Sequence, residues 1–281
     1  MARLIRLMVC ILLFGLPVLA QSTPDAQQAG SQEEGLQKPA PPITMLPLDT
    51  STADELEAQG DSLRALNMHL DAADSYKAAL RKKPTAVLYN KLGITLILLR
   101  RPGEAEAAIN HAIQMQKTYA DAWNNLGSVY YMEANYKRAS SEFERAIKVS
   151  DQGAHVDQST EATYHSNLGS SYFNRKELVK AAKEYQIALK LDPYVFERSS
   201  RRGITAMMGK PQSERAEFEY MLAKLYAQSN DPVNCLLHLR KALEEGYKGI
   251  NNVYKDQEFA SVRADQRFKD LMAQKPESIP Q

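Results

Sequence analysis

Cysteine is almost absent from this chain. Among 281 residues only Cys10 and Cys235 carry a thiol, so no disulfide framework is available. Net charge is also scarce: 35 Lys and Arg stand against 34 Asp and Glu, a balance of +1. Such neutrality gives no electrostatic basis for holding nucleic acid or an anionic membrane surface. No apolar run reaches the roughly 20 residues that span a bilayer; Leu7–Ala20 offers fourteen, broken by Gly15 and Pro17. Phosphate-loop, HExxH, GxSxG, CxxC and dinucleotide patterns are missing. The five histidines (His69, His111, His155, His165, His238) are scattered without metal-ligand spacing. These absences point away from an enzyme and predict no cofactor and no metal.

What is present begins with an address. Arg3 and Arg6 precede the short apolar stretch, and Val18-Leu19-Ala20 puts small residues before Gln21. Residues 1–20 therefore read as a cleavable secretory signal, and the mature chain is expected outside the cytoplasm, in the periplasm of a bacterium. The alternative is an inner-membrane anchor through residues 7–20, the one route to membrane contact. Removal of the signal leaves Cys235 as the only thiol. Residues 21–52 are rich in Gln, Pro, Ala and Ser, lack helical periodicity and read as a disordered tether. Thr52 or Ser51, followed by Asp54 and Glu55, marks the first helix start.

From there the chain repeats. Taking Gly127 as column zero, Trp123 (−4), Leu126 (−1), Tyr130 (+3), Ala139 (+12), Phe143 (+16) and Ala146 (+19) give two helices one apolar face each. The register recurs around Gly60, Gly93 and Gly169, with alanine at +12 and +19 each time and a large apolar residue at +16. Gly60 and Gly93 are 33 residues apart, Gly93 and Gly127 are 34 apart, and that period with one hairpin per unit is the mark of a solenoid. These columns closely resemble the tetratricopeptide repeat family. His165 in the tryptophan column, Gln59 in the leucine column and two missing prolines are departures. The resemblance implies an all-α solenoid of about five hairpins: repeats at about 53–85, 86–119, 120–150, 162–193 and 216–247. Insertions fall at 151–161, expected as an enlarged loop, and at 194–215. The fifth repeat is divergent, with Ala223 at column zero and Cys235 in an alanine column. Residues 248–281 resemble the closing segment of bacterial members, with Phe259, Val262, Phe268, Leu271 and Met272 covering the stack's apolar end.

The resemblance also implies a function, protein–protein interaction through the concave face that first helices line. Carried onto this sequence, that face offers Asn90, Ile94 and Ile97 in repeat two, and Asn124, Ser128 and Tyr131 in repeat three. Repeat four adds Ser166, Ser170, Phe173 and Asn174. Asparagines at equivalent positions suit the backbone of an extended, largely uncharged peptide; the apolar members either contact it or pack between hairpins. Arg198, Arg201 and Arg202 form a second candidate, either a solvated helix end or a dock for an acidic partner. The expected role is a non-catalytic scaffold or adaptor in the bacterial envelope. Self-association into a homodimer through an exposed hairpin face is the alternative.

Overall fold

In a computed structural model of the chain, residues 45–153, 156–196 and 211–274 are described. The signal and residues 21–44 of the tether lie outside them, as do Arg198, Arg201 and Arg202. Among the described residues there is no strand, and no helix is long and apolar enough to cross a membrane.

Four helical hairpins follow the predicted register: α1 (Ala53–Ala65) with α2 (His69–Lys82), α3 (Ala86–Leu98) with α4 (Pro102–Met115), α5 (Ala120–Met132) with α6 (Tyr136–Asp151), and α7 (Gln158–Asn174) with α8 (Leu178–Leu191). A fifth, α9 (Gln212–Gln228) with α10 (Pro232–Glu244), begins four residues earlier than expected. Each second helix packs on its own partner, and α2, α4 and α6 also pack on the next first helix. First helices touch as well, α3 on α5 and α5 on α7. The architecture is an all-α solenoid.

The column residues explain why the helices pair so closely. Tyr76, Phe143 and Tyr185 at +16 are fully buried, each lying directly on the glycine of its own hairpin. A Cβ added at Gly60, Gly127 or Gly169 would sit 2.5, 2.6 or 2.7 Å from that ring, and one at Gly93 would collide with Ile109. The alanines at +12 and +19 are also fully buried in all four units. In the fifth, Ala223 and Leu239 hold the same columns and are fully buried, as is Cys235, its thiol pushed up to about 12 by burial and then by Asp231.

The turn inside every hairpin is the same. Asn67, Arg100, Ala134, Lys176 and Asn230 all lie seven residues after column zero and all have a left-handed φ, between 55° and 62°. The next residue's amide donates back to the +3 carbonyl, as in Met68 to Leu63 (2.9 Å) and Asp231 to Tyr226 (2.9 Å). This Schellman closure satisfies carbonyls that a helix end leaves open. Helix starts are capped by Thr52, in a full capping box with Glu55, and by Thr85, Asn135, Asp157 and Asp231.

Three segments differ from the sequence reading. Residues 45–52, assigned to the tether, hold turns against the first hairpin: Leu46 N donates to Gln59 Oε1 (2.5 Å) and Lys82 Nζ to the Asp49 carbonyl (2.7 Å). The stretch 151–161 is only partly loop, because α6 runs to Asp151 and α7 starts at Gln158, lengthening them to 16 and 17 residues. Polar residues there extend the helices because Asp157 supplies a cap to Thr160 N (3.0 Å). The closing segment holds two short 3-10 turns, Ile250–Tyr254 and Gln257–Phe259, before α11 (Gln266–Gln274). All five residues expected to cover the stack there are buried, together with Val253.

Candidate partner-binding face

The first-helix face is built around a side-chain ladder that sequence reading missed. At each of the first three junctions, the residue two before column zero donates to the residue three before column zero on the preceding hairpin. Lys91 Nζ reaches Glu57 Oε1 (2.7 Å), Asn125 Nδ2 reaches Asn90 Oδ1 (2.9 Å), and Asn167 Nδ2 reaches Asn124 Oδ1 (2.9 Å). Lys91 also holds Asp61 Oδ2 at 2.6 Å, and Tyr76 donates to the other oxygen at 2.7 Å. Burial works against both charges, but this pairing outweighs it, holding Lys91 above and Asp61 below their ordinary values. The Glu57 and Asp61 carboxylates of the first hairpin are thus both paired with Lys91.

The ladder corrects the expected role of the asparagines. Asn90 and Asn124 are 3% and 6% exposed, and their amide oxygens already accept from the next hairpin. Asn90 Nδ2 is engaged as well, donating to Tyr119 Oη at 3.2 Å. An amide satisfied in this way gains little by exchanging its partner for a peptide backbone. Other expected contacts are also inward. Phe173 is fully buried, edge-on to Phe218 at 5.8 Å. Tyr131 is 8% exposed and accepts from Asn174 Nδ2 at 2.8 Å. Ser128, Ser166 and Ser170 are buried too; Ser128 and Ser170 donate to the carbonyls of Asn124 and Ser166 one turn back.

Apart from Asn174, what remains accessible is apolar. Ile94, Ile97 and Asn174 are half-buried, while Leu98 and Met132, both at column +5 of adjacent helices, are 49% and 38% exposed. Among the predicted residues, Asn90, Asn124, Tyr131 and Asn174 thus form bonds between hairpins, whereas Ser128 and Ser170 bond within their own helices. The signal was in the sequence, in the adjacent pairs Asn90-Lys91, Asn124-Asn125 and Ser166-Asn167, one residue beyond the columns read as lining the face.

Repeats four and five carry a second polar feature. His165 Nδ1 lies 2.7 Å from Glu184 Oε2, and His238 Nδ1 lies 2.7 Å from Glu219 Oε2. Both pairs occupy columns −4 and +15, with the two residues exchanged. They join the two helices of one hairpin where a tryptophan would otherwise pack, so His165 is structural. Among the described residues no three His, Cys, Asp or Glu side chains converge as metal ligands do.

Paired helices in a fixed register, each leaning on its neighbour, define a helical-repeat protein whose exposed side chains form one extended surface. Residues 90–155 and 162–194 match models of the tetratricopeptide repeat family. These segments are tetratricopeptide repeats, the described residues form an all-α tetratricopeptide repeat solenoid, and that fold is one of protein–protein interaction scaffolds. Among solved structures it is similar to PilF of Pseudomonas aeruginosa, with 15% identity over 79% of this chain and 96% of that one, TM-score 0.52. It is also similar to the Cut9–Hcn1 hetero-tetramer of the APC/C, with 17% identity over 76% of this chain and 36% of that one, TM-score 0.50. At these identities the likeness concerns the fold. No curated protein matches the chain.

Proposed function

We propose that this protein is an exported, non-catalytic adaptor of the bacterial envelope that holds an extended, largely uncharged polypeptide segment across the first-helix face of hairpins two to four. The carrying observation is the exposure of Leu98 and Met132 on adjacent first helices, beside the half-buried Ile94 and Ile97. Large apolar side chains that the fold does not need to expose mark an interaction surface when they gather on one face. Beneath them the asparagine ladder fixes the spacing of the helices, so the surface is rigid before a partner arrives. The export reading rests on residues 1–20, and N-terminal sequencing of the mature product is expected to start at or near Gln21.

The test is to crosslink the protein in its native envelope, identify the captured partner, and repeat with Leu98→Asp and Met132→Asp. Both side chains are solvent-facing, so helix content and melting should be retained. Loss of a central anchor is expected to weaken capture by roughly five- to two-hundred-fold. Undiminished capture by both folded variants overturns the reading. Self-association is the second reading, favoured by Val233 and Leu237 standing 62% and 42% exposed on the outer side of α10. A mass that rises with concentration, and stops rising in Leu237→Asp, supports it.

A further inference from the structure

The inter-hairpin ladder ends at the fifth hairpin, and a cavity opens there. Where Lys91, Asn125 and Asn167 donate across the earlier junctions, the fifth hairpin has Met221, which has no donor to offer Ser166. Between α8, α9 and the closing segment lies a cavity of about 320 Å³, at the small end of the range for ligand sites. Its position is not arbitrary. Glu217, Tyr220, Lys224 and Gln228, which line it, occupy columns −6, −3, +1 and +5 of α9, the columns that form the first-helix face elsewhere. The closing segment turns the end of an open face into a walled pocket.

The walls have two chemistries. One side is apolar, from Met221, Leu225 and Val179, the last 87% exposed. Tyr220 and Tyr247 form an aromatic side, stacked with ring centroids 4.3 Å apart. Around the rim stand three carboxylates, Glu217, Asp256 and Glu258. Lys224 serves two of them, Asp256 at 3.2 Å and Glu258 at 3.0 Å, and burial opposing its charge is outweighed by that double pairing. Tyr220 donates to Asp256 as well, at 2.9 Å. Lys176 approaches Glu217 only to 3.4 Å, in an exposed pair. Three carboxylates against two ammonium groups leave one negative charge in excess.

We propose that this cavity receives one cationic, long-stemmed side chain, arginine or lysine, from the polypeptide that lies along the first-helix face. This rests on the adaptor reading above and names what the partner must carry. The methylene stem lies against Met221, Leu225 and the tyrosine wall, and the charged head reaches Glu217 and Glu258 at the rim. Such side chains bury their stems and keep their heads at the water boundary. A guanidinium also stacks on aromatic rings and forks onto carboxylates, so arginine should exceed lysine. An aliphatic or acidic side chain leaves the excess carboxylate unanswered.

The probe is the blocked tripeptide acetyl-Leu-Arg-Leu-amide, added to the whole mature protein carrying methyl-labelled methionine. Met221→Leu identifies the Met221 signal. The arginine peptide is expected to shift that signal, and the same peptide with citrulline, equal in shape but uncharged, to bind about fivefold more weakly, the scale of one partly exposed ion pair. Glu217→Gln and Glu258→Gln should each reduce that preference, and added salt should reduce it too. An unmoved Met221 signal, an equal response to citrulline, or a preference unchanged in both variants overturns the proposal. The outcome is separable from that of the adaptor reading. Leu98→Asp leaves the tripeptide response intact, so a silent pocket with Leu98-dependent capture refutes the pocket alone. A responsive pocket with capture indifferent to Leu98 and Met132 refutes the groove alone.

Discussion

The fourth and fifth hairpins share a turn and three columns, Leu168 and Leu222, Tyr172 and Tyr226, Ala188 and Ala242, but differ at the positions where their helices pair most closely. The fourth matches the family model and has Gly169 beneath Tyr185. The fifth lies outside both matched segments and has Ala223 and Leu239 in those two columns, both fully buried. In the fourth, histidine sits on the first helix and glutamate on the second; in the fifth, they are exchanged. Yet both close with a left-handed residue at the same column, Lys176 at 61° and Asn230 at 56°. The comparison teaches that cross-helix pairs specify this fold, and that single columns do so only through their partners. A methyl on one helix is offset by a smaller side chain on the other. A charge on one is answered wherever its partner stands.

The largest expected effect comes from breaking one pair. His165→Glu sets two carboxylates together in a site where the His165 and Glu184 side chains are 10% and 14% exposed. Stability should fall by about 2–4 kcal/mol, since a mostly buried charge loses its partner and meets its like. Adding Glu184→His reproduces the fifth hairpin's arrangement and should recover most of the loss. Thermal melting of both variants checks this, and a double variant no more stable than the single one would show that the exchange is not interchangeable.

Next comes the glycine column. Gly169→Ala places a Cβ 2.7 Å from the Tyr185 ring, and overpacking of this kind should destabilise by about 1–3 kcal/mol despite alanine's better helix propensity. Tyr185→Leu alone should also destabilise, by leaving a cavity. Together they give the fifth hairpin's pair, so the double variant should lose clearly less than the sum. Strict additivity in chemical denaturation would break the comparison.

Much of this architecture was legible because it depends on periodic residues. Glycine at column zero, alanine at +12 and +19 and a bulky residue at +16 report helix–helix packing, and even the divergent fifth hairpin aligned through Leu222, Ala223, Tyr226, Cys235 and Leu239. The face was legible in position but not in role. A column places a side chain on a side of a helix, whereas its use depends on what the next hairpin presents. Asn124 stands where a ligand contact stands in a single hairpin, and only the neighbour's Asn167 makes it structural. The extended helices around Asp157 were missed for a related reason. Their residues are polar and carry no apolar period, so only the cap geometry shows them as helix.

The ladder gives the third prediction, between hairpins that share it. Asn124→Ala removes the acceptor of Asn167 Nδ2 in a buried site, and an unpaired buried donor costs about 1–3 kcal/mol. Asn124→Ala should therefore lower the melting temperature, and Asn124→Asp, which keeps an acceptor oxygen, should lower it less. If Asn124→Ala melts as the parent does, the bond is not part of the fold and the amide returns as a candidate for partner contact.

The smallest effect concerns the turns, which the five hairpins share in geometry but not in residue. A left-handed conformation costs most L-residues roughly 1–2 kcal/mol, while asparagine and glycine visit it more readily. Asn67 and Asn230 suit it, but Ala134, at φ 57°, has neither a polar side chain to bond locally nor the freedom of glycine. Ala134→Gly should relieve that strain, and part of the gain is returned because glycine loses more freedom on folding. The net expectation is a stabilisation of about 0.5–1 kcal/mol for Ala134→Gly and a smaller gain for Asn230→Gly, both read from denaturation midpoints at unchanged slope. The difference matters more than either value. Equal gains at the two sites would mean that asparagine relieves nothing there, and that the turn is held by its Schellman bonds whichever residue occupies it.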